Sequence, residues 1–484
     1  MLARAVTHAL VGLEPRRVDV EAHVRDGLPG FAIVGLADKA CQEARERVRS
    51  GIAAAELSFP QGRITVNLAP AELRKEGSGF DLPIALAILA ASDQLPRGAL
   101  DRSAAVGELA LDGRLRRVGG VLAVAEGARR LGLERLLCPA DSAREASLAG
   151  VSAVPVRHLA EAVAFLRGEL EPDPPPPPPP ALEVDAPDLA EVRGQERARR
   201  ALELAAVGGH NLLLAGPPGT GKTMLARRLP GILPPLAGDA ALEVTRIHSV
   251  AGLVDREQPL VVRPPFRAPH HSASTAAIVG GGPGIRPGEA SLAHHGVLLL
   301  DELAEFQRPA LEALRQPLED GCVAVARAAG RVLFPARFQL VATMNLCPCG
   351  GRGDPAAECS CSPQRLARYR DKLSRALLDR FDLVIALPRA PADELAGAAG
   401  EPSAIVRDRV VAGSRRLAAR PPRRDTEADE LLRRAADRLH LSGRGYARVG
   451  RVAGTIAALA DSDVVRPEHV AEALAYRSPQ ELGS

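Results

Sequence analysis

The chain has 484 residues, a formal net charge of +3, a hydrophobic fraction of 46% and no tryptophan. This length suggests about three domains, and this composition is that of a globular protein. The longest apolar run, Leu82 to Ala91, is far shorter than the roughly 20 residues of a membrane-spanning helix. The first residues, MLARAVTHAL, lack the pattern of a secretory signal. We therefore expect a cytoplasmic protein that does not enter a membrane.

The most abrupt change in composition is the segment EPDPPPPPPP, from Glu171 to Pro180. Consecutive prolines favour a stiff polyproline II spacer that neither a helix nor a sheet can contain. A weaker break, rich in Pro, Ala and Gly, follows Pro388. The sequence predicts a first domain at 1–170, a linker at 171–184, a core domain at 185–390 and a helical lid at 391–484.

The middle part alternates short apolar runs with helical patterns. The runs that predict buried strands are Asn211 to Ala215, Gly296 to Leu300, Phe338 to Thr343 and Asp382 to Leu387. This alternation indicates an α/β domain with a parallel sheet, whose functional residues follow the carboxyl ends of the strands. In the last part, helical periodicity predicts helices at 427–439 and 446–460.

A phosphate-binding motif follows the first of these strands. It comprises Gly216, Pro217, Pro218, Gly219, Thr220, Gly221, Lys222 and Thr223. Glycines let backbone N–H groups surround phosphates, and the following helix N-terminus adds positive potential. Lys222 is expected to reach the β- and γ-phosphates, and Thr223 to hold Mg²⁺. The sequence thus predicts ATP and Mg²⁺ as cofactors.

Two acidic residues complete the predicted catalytic site. Asp301 and Glu302 follow the apolar run Gly296 to Leu300, which places Asp301 to bind Mg²⁺ through water and Glu302 to polarise the attacking water. Asn345 follows the run Phe338 to Thr343 and is suited to hold that water or the γ-phosphate from the other side.

Further motifs carry a family resemblance. With the Asp-Glu pair, the segments RPPFRAPHH at 263–271 and PGEASLAH at 287–294 resemble the magnesium-chelatase-like AAA+ proteins, and the whole chain resembles their ComM/YifB family. The resemblance implies a hexameric ring that hydrolyses ATP between subunits. It also implies a motor that binds single-stranded and branched DNA without regard to sequence, and that drives branch migration in natural transformation and homologous recombination.

The resemblance implies two functional arginines near the end of the core and in the lid. Arg380, in LDRFD, matches the arginine finger that reaches a neighbour's ATP, and Arg375 is the second candidate. The other interpretation of Arg380 is a surface salt bridge to Asp379 or Asp382. In the lid, Arg444 matches the sensor arginine that contacts nucleotide and is favoured over Arg448.

Three regions are candidates for DNA contact. The family carries a DNA-facing insert between the phosphate motif and Asp301. It also carries a hairpin before the sensor strand, here the run Phe338 to Thr343, and Arg327 to Arg331 would lie on that hairpin. The segment from Ile405 to Arg451 contains thirteen Arg and six acidic residues, which suits either a phosphate-binding surface or a solvated helix face.

The first domain resembles the α+β fold of Lon-type proteases. The segment KEGSGFD at 75–81 aligns with the one that carries the catalytic serine of that family, and the serine position falls on Gly79, next to Ser78. The catalytic lysine position falls on Leu122. A serine nucleophile needs a base. We therefore expect this domain to be an inactive scaffold or binding surface.

Four of the seven cysteines form two C-x-C pairs. Cys347, Cys349, Cys359 and Cys361 match the four thiolates of a tetrahedral zinc site, although C-x-C departs from the usual C-x-x-C spacing. A structural Zn²⁺ and a loop of reduced cysteines both remain open from the sequence.

Alternatives to the DNA motor share its ATP site. They are the ATPase subunit of a metal chelatase, an ATP-dependent protease, and an AAA+ chaperone that remodels proteins. The first domain argues against the chelatase subunit, the missing dyad argues against the protease, and the sequence leaves the chaperone open.

Overall fold

The computed structural model describes residues 1–177, 186–282, 285–327 and 330–477. The elements up to residue 170 are β1 (Leu2–Val11), β2 (Glu14–Arg25), β3 (Gly30–Val34), α1 (Lys39–Ala54), β4 (Arg63–Ala69), α2 (Asp81–Ala91), β5 (Ser103–Ala105), β6 (Glu108–Leu109), β7 (Leu115–Arg116), α3 (Val121–Arg130), β8 (Arg135–Pro139), α4 (Ala143–Ser147), β9 (Ser152–Val156) and α5 (Leu159–Arg167).

The later elements are α6 (Glu196–Gly208), β10 (Leu212–Ala215), α7 (Lys222–Ala226), α8 (Gly238–Val250), β11 (Phe266–Arg267), α9 (Thr275–Val279), β12 (Gly280–Gly281), β13 (Arg286–Pro287), α10 (Glu289–Leu292), β14 (Val297–Leu300), α11 (Arg308–Ala313), α12 (Arg315–Asp320), β15 (Cys322–Arg327), β16 (Gly330–Pro335), β17 (Gln339–Met344), α13 (Pro363–Asp371), α14 (Arg375–Leu378), β18 (Leu383–Ala386), α15 (Ala392–Ala396), α16 (Ser403–Ala419), β19 (Arg423–Arg424), α17 (Thr426–Arg438), α18 (Gly443–Leu459), β20 (Val464–Val465) and α19 (Pro467–Ala475).

The first compact unit contains the described residues up to 177 together with residues 238–261. Its seven-stranded sheet has the order β3-β4-β2-β1-β5-β8-β9, with β1 paired antiparallel to β2 along the whole of β1. Helix α2 is buried along almost all of its length, because its residues are apolar on every face. The unit is therefore an α+β fold with a core of its own.

Helix α8 lies in this first unit although it follows the phosphate motif in sequence. The carbonyl of Ser249 accepts a hydrogen bond of 3.0 Å from the backbone N–H of Gly120, and Arg246 pairs with Glu126 at 2.6 Å. Ser249 also donates its hydroxyl to the buried carboxylate of Glu145 (2.5 Å), which accepts from the backbone of Leu122. Part of the predicted insert thus packs on the first unit.

The second unit contains the remaining described residues and is built on a five-stranded sheet in the order β11-β14-β17-β10-β18. Every pairing in it is parallel, with Ala215 opposite both Met344 and Ala386. The four predicted strands of the core are confirmed within two residues at each end. This sheet places the residues that follow β10, β14 and β17 along one edge.

The two predicted helices of the lid are confirmed as α17 and α18, and α18 packs on α16 and α19. These helices belong to the same compact unit as the parallel sheet. In the linker, residues 171–177 form neither helix nor strand, and 178–184 lie outside the described residues. Within the described parts of the chain, no helix is long and apolar enough to cross a membrane.

Candidate functional site

The phosphate loop connects β10 to α7, as the motif predicts. Gly219 and Gly221 have φ angles of +77° and +87°, a left-handed backbone that favours glycine. A Cβ atom at Gly216 would lie 2.3 Å from the carbonyl oxygen of Leu387, so only glycine fits there. The loop therefore has the backbone curvature that lets successive N–H groups face one anion.

Lys222 is 8% exposed and folds over the loop, where Nζ donates to the carbonyls of Gly216 (2.9 Å) and Pro217 (2.6 Å). Burial lowers the pKa of Lys222, and the carboxylates of Asp301 and Glu302 oppose that shift. The ammonium thus lies inside the phosphate loop, where the charges of both acidic residues of the motif act on it. The donors and charges present fit a nucleotide phosphate chain.

A hydroxyl network joins the loop to the strands beside it. The hydroxyls of Thr223 and Thr343 lie 2.8 and 2.6 Å from the same oxygen, Oδ1 of Asp301. Thr343 Oγ1 also accepts a hydrogen bond of 3.0 Å from the backbone N–H of Glu302. A hydroxyl and a carboxylate oxygen in contact are ligands that suit Mg²⁺.

Glu302 occupies a left-handed backbone position, with φ of +57°, immediately after β14. Its side chain is 59% exposed, and Oε2 lies 3.9 Å from Nδ1 of His271. His271 belongs to the segment that follows β11, the neighbouring strand of the sheet. Unlike Asp301, the Glu302 carboxylate is therefore open to solvent at the edge where the phosphate loop lies.

Asn345 directly follows β17, beside the phosphate loop. The N–H of Gly216 donates to the carbonyl of Met344 (3.2 Å), and the hydroxyl of Tyr369 donates to the carbonyl of Asn345 (3.0 Å). Burial raises the pKa of Tyr369 to about 12, so this hydroxyl remains a donor at neutral pH. The backbone of Asn345 is thus fixed at the predicted edge.

Arg380 and Arg444 do not lie at this edge. Both pair with Glu319, Arg444 at 2.9 Å and Arg380 in a short contact. Arg380 is 4% exposed, and its Nε has no hydrogen-bond partner among the described residues. The other interpretation of Arg380 was a salt bridge to a nearby aspartate, but in the structure Arg380 pairs with Glu319 instead. Arg375, the second candidate for the finger, is exposed.

Glu319 lines a cleft of about 660 Å³. The lining includes Asn211, Gly296, Phe338 and Asp382, each of which immediately precedes a strand of the parallel sheet. The phosphate loop, in contrast, follows the end of β10. Glu319 and its two arginines therefore lie at the opposite edge of the sheet from the phosphate loop of the same chain.

The four cysteines converge. Their sulfur atoms all lie within 4.8 Å of one another, with Cys347 3.3 Å from Cys349 and Cys349 3.7 Å from Cys359. Cys347 is buried and Cys349 exposed. The pKa of Cys349 is lowered to about 5, first by a hydrogen bond from the backbone of Gly351 and then by the Cys347 thiol. The cluster fits the donor set of a zinc site.

In the first unit, the aligned serine and lysine positions lack a catalytic dyad. Ser78 donates its hydroxyl to the carboxylate of Glu108, and Leu122 is fully buried in an apolar cluster. No base therefore lies at position 122. The resemblance of this unit to Lon-type proteases remains a prediction.

The predicted hairpin is present as β15 and β16, paired antiparallel with Arg327 opposite Gly330. Residues 328 and 329 lie outside the described residues, and Arg331 is exposed. The arginines of the lid are largely engaged within the chain. Those with ion pairs are Arg409, Arg416, Arg420, Arg424, Arg433, Arg434, Arg444, Arg448 and Arg451.

A parallel sheet with a phosphate loop after one strand, an Asp-Glu pair after another and a helical lid defines a P-loop protein of the AAA+ class. Residues 188–395 match the family described as magnesium chelatase, subunit ChlI. Residues 20–142 match subunit ChlI of Mg-chelatase, and residues 400–477 match the C-terminal part of that subunit.

Relatives that align along nearly the whole chain assign it to one family within this class. The chain is 44% identical to competence protein ComM of Haemophilus influenzae, over 99% of this chain and 97% of the relative. It is 43% identical to YifB of Escherichia coli (98% and 97%) and 46% identical to protein Rv2897c of Mycobacterium tuberculosis (98% of each chain). The chain belongs to the ComM/YifB family of magnesium-chelatase-like AAA+ proteins.

Sequence reasoning missed three residues at these sites. Thr343 contributes its hydroxyl to Asp301, His271 approaches Glu302, and Glu319 binds both candidate arginines. The position of Thr343 at the end of a predicted strand was a usable signal, since the carboxyl ends of parallel strands meet. Nothing in the sequence near Glu319 indicated its partners.

Proposed function

We propose that the protein is an ATP-driven motor that acts on single-stranded and branched DNA, with a role in natural transformation and homologous recombination. The observation that carries the proposal is the convergence of Thr223, Asp301 and Thr343 beside the phosphate loop, in a chain related along its length to a competence protein. A metal-chelatase subunit is less well supported, because the full-length relatives include that competence protein.

The proposed cofactors are ATP and Mg²⁺, with a structural Zn²⁺ at the four cysteines. Lys222 and the loop N–H groups would hold the phosphates, while Thr223 and Asp301 would hold Mg²⁺, which neutralises charge on the phosphates. Glu302 is the exposed carboxylate at this edge, so it is our candidate for orienting and polarising the attacking water. Asn345 is the candidate for holding that water from the side of β17.

The two arginines support hydrolysis between subunits. Arg380 and Arg444 lie at the opposite edge of the sheet from their own phosphate loop, so neither is placed to serve it. In a ring, that edge can face the phosphate loop of the next subunit. A forked, permanently charged guanidinium is suited to the charge that spreads in phosphoryl transfer. We propose a homo-oligomeric ring, with Arg380 as the finger once it is released from Glu319, and Arg375 as the exposed alternative.

DNA contact is proposed at the hairpin of β15 and β16 rather than over the whole lid. Most lid arginines have carboxylate partners within the chain, which reduces the positive potential they offer to phosphates. Arg331 is exposed on the hairpin. Since aromatic residues form only 2% of the chain, contacts should be with phosphates rather than by base stacking.

The test is ATP hydrolysis by the purified full chain with no DNA, single-stranded DNA, duplex DNA and a branched junction. We expect DNA to bind and to raise the rate of hydrolysis, with the junction resolved only when ATP is hydrolysed. Healthy hydrolysis that no DNA changes, together with no DNA binding, would replace this proposal with protein remodelling.

A further inference from the structure

We infer that a Zn²⁺ ion held by Cys347, Cys349, Cys359 and Cys361 fixes the loop that supports the phosphate loop, so that ATP hydrolysis depends on this metal. The inference rests on the proposed ATPase function and adds a metal requirement to it. Mg²⁺ would bind at Thr223 and Asp301, whereas Zn²⁺ would bind outside the nucleotide site, in the segment that contacts the phosphate loop.

The cluster has the dimensions of a tetrathiolate site. Zn–S bonds of about 2.3 Å place the sulfur atoms of a tetrahedron about 3.8 Å apart. The Sγ separations of 3.3 Å between Cys347 and Cys349 and 3.7 Å between Cys349 and Cys359 are close to that value, and all four sulfur atoms lie within 4.8 Å of one another. Four thiolates therefore need only small adjustments to share one ion.

The first C-x-C pair is also shaped like a metal knuckle. The N–H of Arg352 donates to Sγ of Cys347 at 3.2 Å, which would stabilise a thiolate at that position. The N–H of Gly350 donates to the carbonyl of Cys347 at 3.1 Å, and Gly350 has a φ of +80°. The chain thus turns sharply at Cys347, and returns at Cys359 and Cys361 to supply the remaining sulfurs.

This knuckle lies directly on the phosphate loop. A Cβ atom at Gly350 would be 2.7 Å from Cγ of Pro218, so the backbone of Gly350 is in van der Waals contact with that proline. A Cβ at Gly353 would be 3.0 Å from Leu346 and 3.9 Å from Pro217. Pro218 of the phosphate loop therefore packs against the segment that the cysteines hold, and Pro217 lies near it.

The same segment begins where β17 ends. Only Asn345 and Leu346 separate Met344, the last residue of β17, from the buried Cys347. A metal bound at Cys347 would restrict both Asn345 and the phosphate loop. Loss of the ion would free about fifteen residues between Cys347 and Cys361, and ordering such a loop costs conformational entropy.

The first part of the experiment measures metal on the full chain under reducing conditions. Elemental analysis should find about one zinc per subunit. After the zinc is removed with a chelator, Co²⁺ should produce the visible absorption bands of tetrahedral thiolate coordination. If reduced protein binds neither zinc nor cobalt, the inference is overturned.

The second part measures turnover in excess Mg²⁺. Zinc-depleted protein should hydrolyse ATP on the order of 10-fold more slowly, which is the usual effect of losing interactions that support the residues of a site. Re-added Zn²⁺ should restore the rate. Cys359→Ser and Cys361→Ser should act like depletion. Ser360→Ala, a control at the exposed residue between Cys359 and Cys361, should retain zinc and turnover.

The outcomes separate this inference from the proposed function. Zinc that binds stoichiometrically, but whose removal leaves ATP turnover unchanged, overturns the coupling and leaves the motor intact. If zinc-loaded wild-type protein does not hydrolyse ATP, the ATPase proposal fails and the coupling fails with it. Chelation and reloading of the wild-type chain give these answers even if a cysteine variant does not fold.

Discussion

The hydroxyl of Thr343 lies 2.6 Å from Oδ1 of Asp301 and accepts a hydrogen bond from the backbone N–H of Glu302. One buried threonine thus orients both acidic residues of the motif. Because Thr343 is 1% exposed, loss of its hydroxyl would leave these partners without a replacement from water.

Thr343→Val should therefore reduce ATP hydrolysis and destabilise the fold by about 1–3 kcal/mol. Thr245→Val is a matched control, since Thr245 is also buried, donates to the carbonyl of Ala241 and accepts from the N–H of Val261. Both variants should unfold at lower denaturant concentration, but only Thr343→Val should show a raised Mg²⁺ requirement. Equal effects of the two on hydrolysis would reduce Thr343 to a structural role.

Lys222→Ala and Glu302→Gln should separate nucleotide binding from hydrolysis. Removal of the ammonium should weaken ATP binding by about 2 kcal/mol, or roughly 30-fold, because charge-assisted hydrogen bonds are lost. Glu302→Gln should bind ATP normally and hydrolyse it roughly 10²–10⁴-fold more slowly. Binding is measured with a fluorescent nucleotide and turnover by phosphate release.

The control for Glu302→Gln is Glu305→Gln, which removes a nearby carboxylate that pairs with Lys372 at 3.6 Å. This variant should turn over ATP at close to the wild-type rate. Normal hydrolysis by Glu302→Gln would remove that residue from the mechanism.

The phosphate site was predictable because its signal is local. The motif from Gly216 to Thr223 is contiguous, and the strands beside it are short apolar runs that end within two residues of their predicted ends. The helices α17 and α18 were predictable for the same reason, whereas the hairpin was expected only from the family resemblance. The phosphate site and these two helices depend on the order of neighbouring residues.

Contacts between distant segments were not predictable. Glu319 and Arg380 are 61 residues apart, and their pairing depends on how the second unit brings α12 close to the turn that follows α14. The packing of α8 on the first unit, through Ser249 and Gly120, likewise leaves no local pattern. The charge balance of the lid suggested a phosphate-binding surface, but a formal count cannot show that Arg448 and Arg451 share Asp382.

Arg380→Ala should give subunits that bind ATP but hydrolyse it about 10³-fold more slowly or worse, the scale of a lost arginine finger. Mixing them with Lys222→Ala subunits should restore part of the activity, because an intact Lys222 site can then face an intact Arg380. In the structure, Arg380 is held within its own subunit by an ion pair with Glu319. Glu319→Gln removes that ion pair, so the guanidinium should be released more easily.

Co-assembly of the mixed subunits is checked first, by pull-down of differently tagged chains. If co-assembled mixtures recover no activity while Arg375→Ala mixtures do, the finger is Arg375. If neither recovers, the arginines act within their own subunit.

The first unit should have no peptidase activity. Ser78 donates to the carboxylate of Glu108, which is a weak base, and position 122 is a buried leucine rather than the lysine base of a catalytic dyad. Full-length protein with ATP should release no peptides from unfolded casein. Ser78→Ala should leave ATP hydrolysis and DNA binding unchanged, and ATP-dependent cleavage that Ser78→Ala abolishes would contradict this prediction.

Arg331→Ala should weaken DNA binding to a similar extent on unrelated sequences, because the contact is with phosphate and carries no base information. Each phosphate contact that is lost should also reduce the slope of log affinity against log salt concentration by about 1. Arg438→Ala is the control, since Arg438 is an exposed arginine of the lid. Affinities are measured on two unrelated single strands and on one branched junction at several salt concentrations.

Wild-type protein should displace a labelled strand from the junction only with hydrolysable ATP, and Glu302→Gln should bind the junction without displacing the strand. Arg331→Ala should lose displacement while basal ATP hydrolysis without DNA stays close to that of the wild type. If Arg438→Ala weakens binding as much as Arg331→Ala, the DNA contact extends over the lid. If neither changes affinity or salt slope, the hairpin is not the DNA contact.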